Sequence, residues 1–173
     1  MVWILALDLG FKTGWAEGEA GQQPSRSGST PLHLFEFLGW LNDRFKERRP
    51  RLVVVEDYLP LAAYKRLGTA EHSVYDALMR RGALEACCGL WGIELRAVDV
   101  LHARKHFTGR RSHGSREDNK RATIVRCRQL KYVAAGEADE DRCDALQIWD
   151  WASSALARKA PRELVLFGGT SNG

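Results

Sequence analysis

The chain has 173 residues, 45% hydrophobic and 28% charged, with a formal net charge of +4. That length suits one domain with a full core, and that balance excludes a disordered or fibrous chain. No apolar run approaches the ~20 residues of a membrane span and no signal peptide opens the chain, so a cytoplasmic protein without membrane attachment is expected.

Residues 2–9 form an apolar run closed by Gly10, the pattern of a buried strand, and Asp8 lies near its end. Residues 10–14 read as a turn, and Trp15, Ala16 and Glu17 as an antiparallel return strand. The Gly-, Ser- and Gln-rich residues 18–30 are expected to hold a loop and a short third strand. Thr30-Pro31 has the chemistry of a helix start, Thr as cap and Pro at the first helical position. Leu34, Phe35, Leu38, Leu41 and Phe45 then recur at helical spacing to about Glu47.

Residues 51–56 are a second buried strand, uninterrupted and β-branched, ending at Glu56. Strand alternation turns Asp57 to the opposite side of the sheet. A loop over residues 57–68 carries Tyr58, Tyr64, Lys65 and Arg66, side chains suited to stacking on opened bases and to meeting DNA phosphates. A long helix over residues 71–91 follows, then a strand over 93–98, a helical piece over 100–107 stopped by Gly109, and a basic amphipathic helix over 117–130. The last long helix spans residues 137–158 and leads into a terminal tail, 159–173. Cys87, Cys88, Cys127 and Cys143 lack metal-site spacing and read as reduced packing thiols. With no repeat and no linker, this order implies a single α/β domain over residues 1–158, a mixed sheet flanked by helices.

Four carboxylates carry the chemistry. Asp8 and Glu56 sit at the tips of buried strands, where an unpaired charge is costly. Asp141 and Asp144 lie one turn apart on one face of the last helix, whereas Asp139 and Glu140 suit the helix N-terminus itself. Two strand-tip acids and such a pair can converge on hard cations, Mg²⁺ or Mn²⁺, and two cations can clamp the attacking and leaving oxygens of phosphodiester hydrolysis. The basic residues Arg104, Lys105, Arg110, Arg111, Arg116, Lys120 and Arg121 face few acids in their segment and fit a phosphate backbone.

The residues resemble the RuvC family of Holliday junction resolvases, within the RNase H-like superfamily. The resemblance rests on Leu7-Asp8-Leu9-Gly10 with Thr13-Gly14-Trp15-Ala16, on Val54-Val55-Glu56, and on Asp141-Arg142-Cys143-Asp144-Ala145-Leu146. The basic stretch 104–109 followed by Asn119-Lys120-Arg121 adds a fourth element in the right order. The resemblance implies an RNase H-like fold and an endonuclease cutting four-way junctions by paired symmetric nicks that leave 5′-phosphates. It also implies two Mg²⁺ or Mn²⁺ ions held by Asp8, Glu56, Asp141 and Asp144, and DNA contacts from Arg104, Lys105 and Lys120. A homodimer built on the helix 71–91, with Val74, Leu78 and Leu90 as interface candidates, is expected. The spacing from Asp8 to Glu56 is shorter than in typical bacterial members, and the loop after Glu56 diverges, which points to a divergent or phage-type member. Two rival readings are a phosphate-binding ATPase fragment of the actin-like superfamily and a catalytically inactive branched-DNA-binding module. The ATPase lacks a second phosphate loop here, and retention of all four acids argues against the inactive module.

Overall fold

The computed structural model describes residues 2–57 and 71–159. Five strands, β1 (Trp3–Asp8), β2 (Lys12–Glu19), β3 (Arg26–Pro31), β4 (Leu52–Glu56) and β5 (Glu94–Val98), form one sheet in the order β3-β2-β1-β4-β5. Strands β1, β4 and β5 run parallel, while β2 and β3 are antiparallel to their neighbours. Among the described residues, five helices flank the sheet: α1 (Leu34–Glu47), α2 (Glu71–Trp91), α3 (Val100–Thr108), α4 (Arg116–Gln129) and α5 (Glu140–Lys159). Residues 160–173 of the expected terminal tail and 58–68 of the tyrosine-bearing loop lie outside the described residues, and Lys159 still belongs to α5.

Strand alternation sorts the core into two layers. Ile4, Ala6, Leu52 and Val54 pack against Phe107, Cys127, Leu146 and Trp149 on the α3–α5 side. Leu5, Leu7, Val53 and Val55 pack against Phe37, Leu41, Phe45 and Leu84 of α1 and α2. Because β1 and β4 are covered on both faces, their sequences read as continuous apolar runs. All four cysteines are buried and unpaired packing groups, as expected.

One predicted helix start is corrected. Thr30 and Pro31 pair with Thr13 and Lys12 as the last residues of β3, and α1 begins three residues later. β3 is an edge strand, where a proline without an N–H costs no ladder bond. The helix is capped at His33 instead, whose N–H donates to Glu36 Oε2 at 2.7 Å. The last helix likewise begins at Glu140 rather than 137, because Asp139 caps it, its Oδ1 accepting from the Arg142 N–H at 3.3 Å.

Small residues bring α5 onto the sheet. Gly14, Ala16 and Gly18 share one face of β2. A Cβ on Gly14 would lie 1.9 Å from the Asp141 carbonyl oxygen, and one on Gly18 would lie 3.1 Å from the Trp149 ring. The start of α5 therefore rests directly on the backbone of β2, beside the Asp8–Gly14 pair. Arg142 ties the same end down, donating to Ser27 at 2.9 Å and to Glu137 at 2.7 Å.

Candidate active site

Asp8 and Glu56 are the last residues of two parallel neighbours whose register pairs Leu7 with Val55. One step beyond that pair, both carboxylates leave the same end of the sheet. Asp8 follows the 4, 6 alternation and Glu56 the 52, 54 alternation, so both side chains project toward α5. Asp144 lies one turn inside α5 and faces them, beside buried Cys143 and Ala145. Asp57 is exposed, in keeping with its predicted turn away.

The acids sense one another strongly. The Asp8 carboxyl is pushed well above the usual carboxylate range by burial, then by the charges of Asp144, Glu56 and Asp141, with Lys120 opposing. Glu56 is pushed up to about 7 by burial and by Asp144, against the pull of Arg104. Asp144 is pushed up to about 6 by burial, although Lys120 and Arg104 both favour its charged form. Three half-buried carboxylates thus share one end of the sheet with too little positive charge to balance them.

Asp141 is placed differently. Its carboxylate sits at the rim and is shared with Lys12 at 3.3 Å, the lysine also holding Asp139 at 2.9 Å. Nothing in the sequence singles out Lys12; a lone lysine in a glycine-flanked turn carries no signal until α5 is seen to cross above it. All four acids are hard oxygen donors, the chemistry suited to Mg²⁺ or Mn²⁺ rather than to softer metals. Among the described residues, no three His, Cys, Asp or Glu side chains are already arranged to hold an ion. The acids meet as an electrostatic group whose mutual repulsion a divalent cation would relieve, not as a preformed cage.

The basic candidates divide. Arg104 and Lys120 stand near the acids, Arg104 opposing the rise of Glu56 and Asp144 and Lys120 that of Asp8 and Asp144. Arg104 donates to the Arg111 carbonyl at 3.3 Å and keeps its Nε buried without a partner. Lys120 is ion-paired with Glu140 on the first turn of α5. Lys105 points elsewhere and lines a separate surface cavity with Asp99, His102, His106 and Trp151. One residue along a helix is a rotation of roughly 100°, which is why Arg104 and Lys105 cannot share a face. Arg110 and Arg111 are exposed in the turn after Gly109, whose φ of 84° ends α3. Tyr58, Tyr64 and Lys65 lie outside the described residues.

The fold is RNase H-like: a mixed five-stranded sheet flanked by helices, with acids at the ends of its first and fourth strands and on its final helix. Its solved neighbours include RuvC and a yeast mitochondrial Holliday junction resolvase. RuvC of Thermus thermophilus superposes with a TM-score of 0.68 at 14% identity, over 90% of this chain and 96% of that one. The same protein in complex with a Holliday junction substrate gives 0.67 at 13% identity, with the same coverage. Ydc2, the yeast mitochondrial Holliday junction resolvase, gives 0.61 at 12% identity, over 92% of this chain and 81% of that one. No known family profile and no curated protein sequence matches the chain. Among the described residues no helix is long and apolar enough to cross a membrane.

Proposed function

We propose that this protein is a divalent-metal-dependent DNA endonuclease that resolves four-way junctions by paired symmetric nicks. The observation that carries the reading is the crowding of Asp8, Glu56 and Asp144 at one end of a RuvC-type fold, where burial first and neighbouring acids second raise all three carboxyls. A buried acid cluster with too few cations to balance it is a candidate functional site on physical grounds.

Asp8, Glu56 and Asp144 would hold Mg²⁺ or Mn²⁺, with Asp141 as the rim contributor; two bound ions would polarise the scissile phosphate and lower the pKa of the attacking water. The chain's own groups supply the rest. Arg104 and Lys120 stand beside the acids and would bind non-bridging phosphate oxygens, offsetting charge that develops during in-line attack. Departure of the 3′-oxygen leaves a 5′-phosphate, a nick that a ligase can seal. The exposed Arg110 and Arg111, together with Tyr58, Tyr64 and Lys65, would extend the DNA contact.

Symmetric nicks on opposite strands need two sites related by a two-fold axis. Helix α2 exposes Tyr75, Leu78, Met79 and Leu90, an apolar strip that a second copy of the chain would cover. Val74 is 8% exposed and packs inward, so of the three interface candidates only Leu78 and Leu90 remain. The phosphate-binding ATPase reading finds no support in the structural likenesses, and nothing in the acid cluster suggests a degenerate site.

The test is incubation of the purified protein with labelled synthetic four-way junctions, in Mg²⁺ or in EDTA. Paired nicks with Mg²⁺ and intact junctions in EDTA are expected; equal products in both conditions would remove the metal-dependent reading.

A further inference from the structure

The four acids differ in how they are partnered. Among the described residues Asp8, Glu56 and Asp144 form no ion pair, whereas Asp141 Oδ2 lies 3.3 Å from Lys12 Nζ. The lysine is anchored on a second carboxylate, its shorter contact being Asp139 Oδ1 at 2.9 Å. Asp139 is itself fixed. Its Oδ2 accepts from the Ser29 hydroxyl, and its Oδ1 also accepts from the Arg142 N–H as the cap of α5. Lys12 opens β2, paired with Pro31 of β3, and two residues further on the Asp141 backbone sits against Gly14. The lysine is therefore held where the first turn of α5 crosses the sheet, with Asp141 as the second acid in its reach.

A cation entering the acid cluster needs the same carboxylate. The side chains of Lys12 and Asp141 are 45% and 32% exposed, so their pair is screened by water and weak. An ammonium has three donors, and loss of Asp141 leaves Lys12 satisfied by Asp139 and solvent. A divalent ion brings twice the charge and coordinates the carboxylate oxygen directly, so it can displace the lysine. The influence of Lys12 is also local. The cations that chiefly oppose the rise of Asp8, Glu56 and Asp144 are Lys120 and Arg104.

We infer that Lys12 is a positioning residue that holds Asp141 at the rim and competes with an incoming divalent cation for its carboxylate. The pair thereby raises the cation concentration at which Asp141 joins the other acids. The inference rests on the metal-site reading proposed above and names what controls the loading of that site.

The experiment titrates Mn²⁺ into the full-length protein without DNA and follows the signal of free Mn²⁺ by electron paramagnetic resonance. Wild type is compared with Lys12→Met, Lys12→Arg, Asp141→Asn and the double variant Lys12→Met with Asp141→Asn. Lys12→Gln serves as a second neutral variant, and melting curves establish that each protein is folded. We expect Lys12→Met to bind Mn²⁺ about threefold more tightly than wild type, the size of effect a part-exposed ion pair supports. Lys12→Arg should stay near wild type, and the gain from Lys12→Met should vanish in the Asp141→Asn background. Unchanged or weaker binding by both neutral variants overturns the inference. Equal tightening with and without Asp141 also overturns it, because the effect then belongs to lost charge and not to the pair. Mn²⁺ uptake that is weakened by Asp8→Asn but untouched by Lys12→Met keeps the metal site and rejects the role of Lys12. A wild type that takes up no Mn²⁺ overturns both.

Discussion

Two clusters of acids in this molecule have opposite designs. Glu17, on β2, is 2% exposed, but Arg26 Nε lies 2.7 Å and Arg44 Nη1 3.0 Å from the same oxygen. Arg26 also reaches Glu47 at 2.6 Å, and the Arg44 guanidinium lies 3.9 Å from the centre of the Trp15 ring. That network is closed, with each charge answered by another charge or by an aromatic face. At the far end of the neighbouring strand, Asp8 faces Asp144, Glu56 and Asp141 with mainly Lys120 in opposition. A fold that can neutralise a buried acid so thoroughly at one place leaves three crowded at another, which is the arrangement the proposed cation site calls for.

Substitutions should separate the two clusters cleanly. Asp8→Asn, Glu56→Gln or Asp144→Asn is expected to lower single-turnover junction cleavage on the order of 10²- to 10³-fold while leaving junction binding intact. Without divalent cations these variants should melt no lower than wild type, because each removes a repelled charge. Glu17→Gln should do the opposite, costing on the order of 1–2 kcal/mol of stability by removing the carboxylate that Arg44 and Arg26 share, with an unchanged cleavage rate per folded molecule. Urea titration and single-turnover kinetics on the same preparations check both halves.

The pH dependence sharpens the contrast. The folded chain holds Asp8, Glu56 and Asp144 above their ordinary pKa values, so it binds more protons than the unfolded chain between about pH 4 and pH 7. Stability from this cluster is therefore greatest below that window and is lost as pH rises through it. Divalent cation should restore it. We expect 10 mM Mg²⁺ to raise the melting temperature by about 5 °C at pH 8 and by much less at pH 5. An equal rise at both pH values would detach the effect from these carboxylates. Cleavage at low Mg²⁺ should likewise climb from pH 5 to 8 as the acids ionise.

The basic residues supply a smaller effect. Arg104→Ala and Lys120→Ala should each flatten the plot of log binding constant against log salt by about one unit, since a lost phosphate contact no longer releases its counterion. Lys105→Ala, on the other side of α3, should change stability by no more than about 0.5 kcal/mol and leave the slope nearly unaltered.

Much of this architecture is legible in the sequence, and the exceptions have physical causes. Asp8 and Glu56 stand out because a charge at the end of an apolar run has few inexpensive explanations, and parallel pairing then puts both on one face. Gly14 and Ala16 become meaningful once α5 is seen to rest on them. Thr30-Pro31 misleads because the same dipeptide suits a helix start and the end of an edge strand, and only pairing with β2 decides between them. The inward turn of Val74, the separation of Lys105 from Arg104, and the Lys12–Asp141 pair depend on which neighbour each face meets. Residue spacing alone does not contain that information.

The central claim, that the crowded acids and not the paired ones form the cutting site, is tested most directly by single-turnover cleavage of a labelled four-way junction in Mg²⁺. Wild type, Asp8→Asn and Glu17→Gln would be compared at equal folded concentration. The account predicts paired symmetric nicks with 5′-phosphates from wild type and Glu17→Gln, and cleavage slower on the order of 10²- to 10³-fold from Asp8→Asn. Cleavage by Asp8→Asn at the wild-type rate would contradict it.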